Sequence, residues 1–202
     1  LVELAALKVT LAGSGSLTVN ANYNNGITGK DTLFIQKASV TVTAVNHGIN
    51  GKDSLTIKDA DITVTSGGDA LRSANDSDTT LGYLVITGSA LKLTAGEDGI
   101  QAETTLTISG GTATVTTAGG AGQSISDDTS AKGLKAGTQV TVTGGTLQLN
   151  CCDDAIHSNG DVTISGGSFT IATGDDGMHA DDTLSISSGT IDITRSYEGL
   201  EG

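Results

Sequence analysis

The sequence predicts an all-β fold, a single-stranded right-handed parallel β-helix with about 22 residues and three short strands in each turn. Three observations carry this prediction. Pro is absent, aromatic residues make up 2% and Gly numbers 29, a composition of short strands and tight turns rather than of a large conventional core. Apolar residues alternate with polar ones in short runs, the period of a strand and not of a helix. A phrase of two polar or acidic residues, then Gly or Ala, then an apolar residue returns at fixed intervals along the chain.

Aligned on that apolar residue, the phrase gives Ile27, Ile49, Leu71, Ile100, Leu134, Ile156, Met178 and Leu200, and five of the seven steps are 22 residues. The two longer steps hold insertions, "SANDSDTTLGY" near 72–83 and "AGGAGQSISDDTSAK" near 118–132. Within each unit the apolar residues fall in two runs, such as Leu55/Ile57 then Ile62/Val64, or Leu106/Ile108 then Ala113/Val115. Between the runs stand Gly110-Gly111, Gly144-Gly145, Gly166-Gly167 and Ser188-Gly189, where a turn is expected because Gly accepts positive φ. One such unit cannot bury its own apolar side chains. Coiling stacks Ile on Ile and Leu on Leu at the strand spacing of about 4.8 Å. Residues 1–202 read as one β-helix domain, with a partial turn over 1–22 and about seven turns over 23–202. A leucine-rich repeat would need a fixed Leu/Asn pattern, and a propeller blade would need about 40 residues.

Charge and cysteine usage narrow the function. A net charge of −13 excludes a nucleic-acid phosphate partner, which needs a basic stripe, and makes cations the natural complement. No run of about 18 apolar residues exists, so no membrane insertion is expected. "LVELAALKVTLAG" lacks the basic region and cleavage site of a signal peptide. The chain starts without Met and stops as a repeat begins, and so reads as a piece of a longer, processed protein. Cys151 and Cys152 are adjacent, which suits either a vicinal disulfide or two small residues at a strand end.

In a coil of this period, the residues two before the aligned position form a column: Asn25, His47, Asp69, Asp98, Lys132, Asp154, Asp176 and Glu198. Together with the preceding column, three consecutive turns bring Asp153, Asp154, Asp175, Asp176 and Glu198 into one patch. Two carboxylates about 4.8 Å apart repel by about 1 kcal/mol at the dielectric of water and by about 3–4 at an effective dielectric near 20. A hard divalent ion with oxygen ligands relieves this best. Ca²⁺ takes six to eight oxygens in loose geometry, whereas Mg²⁺ demands a tight octahedron. More than one Ca²⁺ ion is expected, because Glu97, Asp98, Asp127 and Asp128 form a second acidic group around the longer insertion. His157 and His179 stack in the adjacent column, but without thiolates or further His they do not argue for zinc. A solvated acidic face screened by salt is the competing reading. Lys132, between Asp98 and Asp154, suits charge neutralisation where a cation is absent.

"GDDGMHADDTLSISSGTIDITRSYEGLEG" and "CCDDAIHSNGDVTISGGSFTIATG" resemble the repeats of a bacterial family of secreted carbohydrate-binding β-helix proteins, similar to polysaccharide lyases and associated with Ca²⁺. The resemblance runs from about Gly26 onward. It implies a secreted or cell-surface bacterial protein that binds plant cell-wall polysaccharide, cellulose or acidic pectin-like chains, without catalysis. The acid phrase matches Asp153-Asp154, Asp175-Asp176 and Glu198, and more weakly Glu97-Asp98. The first two turns depart from it with Asn24-Asn25 and Asn46-His47.

Lys132, Lys135 and Arg72 are the basic residues near the acid columns, and are the candidates for contacting a saccharide. The alternative function is a calcium-dependent uronate lyase, in which one of these would abstract the proton α to the sugar carboxylate. Carboxylates around a Lys raise its pKa, the wrong direction for a base at neutral pH. A third class, an adhesin or ice-binding β-helix, is prompted by the outward pairs Thr41/Thr43, Thr63/Thr65 and Thr114/Thr116. That row is broken by Lys92, Gln148 and Asp192.

Overall fold

The structure, a computed structural model, describes residues 8–126 and 128–202. Every regular element among them is a strand, and all strand pairs are parallel. They form a β-solenoid with two sheets, one of eleven strands and one of eight. No helix among the described residues is long and apolar enough to cross a membrane.

The eight-stranded sheet is built from very short strands: Ile27–Gly29, Ile49–Gly51, Leu71–Ser73, Ile100–Ala102, Leu134–Ala136, Ile156–Ser158, Met178–Ala180 and Leu200–Glu201. Their first residues pair in register from Ile27 to Leu200, which is the column that the sequence period defines. The first and third residues face the core and the second faces out. Hence Arg72, Gln101, Lys135, His157 and His179 line up on one outer face.

The larger sheet departs from the expected pattern. In the early turns the two apolar runs are separate strands, Thr32–Gln36 then Ser39–Ala44, and Ser54–Lys58 then Asp61–Ser66. From Tyr83–Ala95 onward, the runs fuse into continuous strands: Thr105–Thr117, Gln139–Cys151, Asp161–Thr173 and Leu184–Arg195. A later turn therefore has two strands, not three. The glycine corners explain the change. Lys37 and Asp59 hold positive φ at the early corners, whereas Gly88, Gly111, Gly145, Gly167 and Gly189 hold it later. Without side chains, successive corners approach closely: a Cβ on Gly111 would stand 2.1 Å from the carbonyl oxygen of Ser89. Pairing then continues through the bend with local bulges.

Inward residues of both sheets form one apolar cluster, in which Leu55, Leu106, Ile156, Ile164 and Ile171 are fully buried. The outward row Thr41, Thr63, Lys92, Thr114, Gln148, Thr170 and Asp192 is in register, so the Thr surface is interrupted as the sequence indicates. The first insertion lies between Leu71–Ser73 and Tyr83–Ala95, and the second between Thr105–Thr117 and Leu134–Ala136. Asn75 anchors the first: its side-chain oxygen accepts from the Ser77 N–H at 3.0 Å and the Asp78 N–H at 3.1 Å, while its amide donates to Asp53 at 2.6 Å. Cys151 and Cys152 are buried free thiols, and burial pushes the Cys151 pKa up to about 12.

Candidate functional site

The turn before each short strand carries the acid column, and the side chains there bond along the solenoid axis. Asn25 Oδ1 accepts from the N–H of His47 at 3.2 Å, and His47 Nδ1 from that of Asp69 at 3.0 Å. Asp69 Oδ1 accepts from Asp98 N–H at 3.1 Å, and Asp98 Oδ1 from Lys132 N–H at 2.8 Å. Lys132 has no acceptor to offer, and here the series breaks: Asp154 N–H turns to Asp153 Oδ1 at 2.8 Å. It resumes with Asp154 Oδ1 to Asp176 N–H at 3.0 Å and Asp176 Oδ1 to Glu198 N–H at 3.1 Å. The inner acids Asp69, Asp98, Asp154 and Asp176 are buried because they complete the backbone hydrogen bonding of the next turn.

One oxygen of each inner acid is thus committed, and the other faces the outer column three residues on. Arg72 Nη1 stands 3.5 Å from Asp69 Oδ2, and Lys135 Nζ 3.2 Å from Asp98 Oδ2. Lys132 Nζ bridges Asp153 Oδ1 at 2.8 Å and Asp154 Oδ2 at 2.7 Å, and His157 Nδ1 lies 2.8 Å from the same Asp154 oxygen. The three cations singled out in the sequence are therefore counter-ions of the inner acids. Burial works against ionised Asp154, yet hydrogen bonds from His157 and Lys132 hold its carboxyl well below the usual carboxylate range. Burial likewise opposes charge on Lys132, but its bonds to Asp153 and Asp154 win and raise its pKa.

The outer acids lack such partners. Among the described residues, no donor reaches the carboxylates of Asp175 or Glu198 within hydrogen-bonding distance. Burial, with Asp154, Asp176 and Asp153 close by, raises the Asp175 pKa. Asp98 is also raised, by burial and by Asp69, which outweigh Lys135.

Two open grooves lie along this face. One, of about 260 Å³, is lined by Asp69, Arg72, Glu97, Asp98, Gln101, Asp128, Thr129, Ser130 and Lys135. The longer insertion forms its wall, with Ser130 Oγ donating to Asp98 at 2.7 Å. Arg72 Nε and Gln101 Oε1 are buried there without a partner. The second groove, of about 400 Å³, is lined by Lys132, Asp154, His157, Asp175, Asp176, His179, Tyr197, Glu198 and Glu201. The structure thus brings Asp153, Asp154, Asp175, Asp176 and Glu198 together, and separately Glu97, Asp98 and Asp128; Asp127 lies outside the described residues.

Oxygens of Asp153, Asp154 and Asp175 lie within 4.8 Å of one another, a spread that ligands about 2.4 Å from one Ca²⁺ ion could span, but Lys132 already bridges Asp153 and Asp154, which leaves Asp175 and Glu198 as the oxygens open to a cation. The sequence reading passed over Glu201, whose Oε2 is 2.9 Å from His179 Nδ1. Its signal was present: Glu201 follows Glu198 by three residues, as His179 follows Asp176 and His157 follows Asp154.

The fold and site together are those of a parallel β-solenoid with a polar, grooved outer face on its short-strand sheet. The chain itself belongs to a carbohydrate-binding family: a family model described as "Carbohydrate-binding domain-containing protein" matches residues 4–177. A protein of the same description from Acetivibrio thermocellus is 55% identical over 100 residues, covering 50% of this chain and 35% of the relative. The chain thus matches about a third of that relative's length. Among solved structures, a gadolinium derivative of the polysaccharide lyase-like protein from C. thermocellum aligns with a TM-score of 0.52 at 19% identity. That alignment covers 96% of this chain and 84% of the other, a likeness of fold.

Proposed function

We propose that the protein is a non-catalytic module that binds acidic, uronate-bearing polysaccharide outside the bacterial cell, with Ca²⁺ bridging its outer carboxylates to those of the sugar. The observation that supports this most is the pairing pattern. Arg72, Lys132 and Lys135 are each engaged by an inner acid, while Asp175 and Glu198 are not. The free charge of the face is negative, so an acidic glycan needs an intervening cation. Extracellular modules bind Ca²⁺ at about 10⁻⁴–10⁻³ M, the regime that suits a shallow, exposed acid set.

A lyase finds less support. Lys132 has its pKa raised and its ammonium held by two carboxylates, which opposes its use as a base. Flat crystalline glucan is also disfavoured. Tyr23 and Tyr197 are 96% and 81% exposed but belong to turns near opposite ends of the coil, and Phe169 is buried, so the described aromatic rings make no row.

The test is calorimetric titration with oligogalacturonides in Ca²⁺ and in chelator, with cello-oligosaccharides as controls and ultraviolet absorbance monitoring unsaturated product. Calcium-dependent binding without product is expected. Equal binding in chelator would sink the bridging role, and accumulating product would make the protein a lyase.

A further inference from the structure

His157 and His179 stand on adjacent short strands with ring centroids 4.8 Å apart. Each ring is held from outside by an oxygen acceptor. His157 Nε2 is 2.9 Å from Asn159 Oδ1, and His179 Nε2 is 3.0 Å from Asp181 Oδ1. Carboxylates face both Nδ1 atoms as well, so a cation at His179 Nδ1 would take the place of a proton there while the Nε2–H bond to Asp181 keeps the ring oriented, the arrangement by which outer partners orient metal-bound imidazoles. Against Nδ1 of His179 lie two carboxylates from different turns, Asp176 Oδ2 at 3.4 Å and Glu201 Oε2 at 2.9 Å. Ligands about 2.0 Å from a tetrahedral ion stand about 3.3 Å from one another, so these separations already approach those of a coordination sphere. Donor atoms of Asp176, His179 and Glu201 all lie within 4.8 Å of one another, whereas His157 groups with Asp154 and His179 and has its Nδ1 held by Asp154 at 2.8 Å.

We propose that His179, Asp176 and Glu201 form a binding site for a borderline divalent cation such as Zn²⁺, adjoining the outer acids Asp175 and Glu198 assigned to Ca²⁺. Imidazole nitrogen selects zinc and its neighbours over hard Ca²⁺, whereas Asp175 and Glu198 offer only oxygen. One groove would sort two ions by donor type, and this site does not depend on the saccharide reading.

The experiment is calorimetric titration of Zn²⁺ into the protein held in millimolar Ca²⁺. One saturable site per chain is expected, weakened more than about tenfold in His179→Gln. That variant loses the contacts of His179 to Asp176, Asp181 and Glu201, so its affinity is read at a temperature below the melting transition of both proteins. Nitrogen NMR of the parent imidazoles provides a readout independent of any variant: the Nδ1 resonance of His179 should move on zinc addition. Displacement of Zn²⁺ by Ca²⁺, unchanged affinity in His179→Gln, or a response confined to Nε2 overturns the proposal.

Discussion

Each inner carboxylate of the turn column divides its two oxygens between two tasks, and Asp154 shows the consequence most clearly. Oδ1 accepts the Asp176 N–H, and Oδ2 meets Lys132 and His157. Asp154→Asn preserves the first and loses the second. Breaking a buried pair costs about 3–5 kcal/mol, but Lys132 keeps Asp153, so a loss of about 2 kcal/mol is expected for Asn. Asp154→Ala adds the cost of an orphaned buried N–H, about 1–3 kcal/mol. The pH dependence has a definite sign. The folded pKa of Asp154 lies below its ordinary value of 3.8, so its contribution is complete above that value and is lost as pH falls through the folded one. The stability gap between parent and Asp154→Asn, from urea denaturation, should be full at neutral pH and shrink below about pH 4. A gap independent of pH would contradict the assignment. The sequence made the acids of this column visible as a repeat. It did not show that they hydrogen-bond the backbone, because Asn25, His47 and Asp69 differ in charge and share only a side-chain acceptor at one distance from the main chain.

At the scale of the elements, the corner between the two apolar runs decides whether they are separate strands or one. The repeat made both runs and the glycines legible, since alternation and Gly-Gly pairs are local features. Fusion of the runs depends on how near one corner comes to the next, a contact between turns that no single repeat reveals. Gly110 and Gly111 separate the two influences. Both hold positive φ, +77° and +87°, but a Cβ on Gly110 meets nothing within 4 Å, whereas one on Gly111 meets Ser89 oxygen at 2.1 Å. Gly110→Ala should therefore cost only the left-handed penalty, about 1–2 kcal/mol. Gly111→Ala should exceed it by enough to be plain in thermal melts, because backbone must move. Equal melting temperatures for the two variants would show that corner packing does not set the continuity of these strands.

Across the whole molecule, charge is arranged by depth. Inner acids Asp69, Asp98 and Asp154 are matched by Arg72, Lys135 and Lys132, Asp176 faces His179, and Asp175, Glu198 and Glu201 add further carboxylates to the C-terminal groove. A net charge of −13 was plain from composition; which acids remain unmatched was not, since each cation reaches its partner across turns or along a strand face. Asp175 tests the arrangement because calcium reverses the sign of its effect. Without metal its carboxylate is destabilised by burial and by Asp154, Asp176 and Asp153, so Asp175→Asn should raise the melting temperature in chelator. With Ca²⁺ bound, the same change removes a charged ligand. An ion that binds only the coiled state stabilises it by about 2.7 kcal/mol at a hundredfold excess over its dissociation constant, and Asp175→Asn should reduce that gain. Parent and variant melting temperatures should therefore cross as Ca²⁺ is raised. Screening of a solvated acidic face predicts otherwise: monovalent salt at equal ionic strength would stabilise the parent as well as Ca²⁺ does, and the variant would remain the more stable protein throughout. Absence of the crossing, with salt as effective as calcium, would remove the metal from the outer acid set.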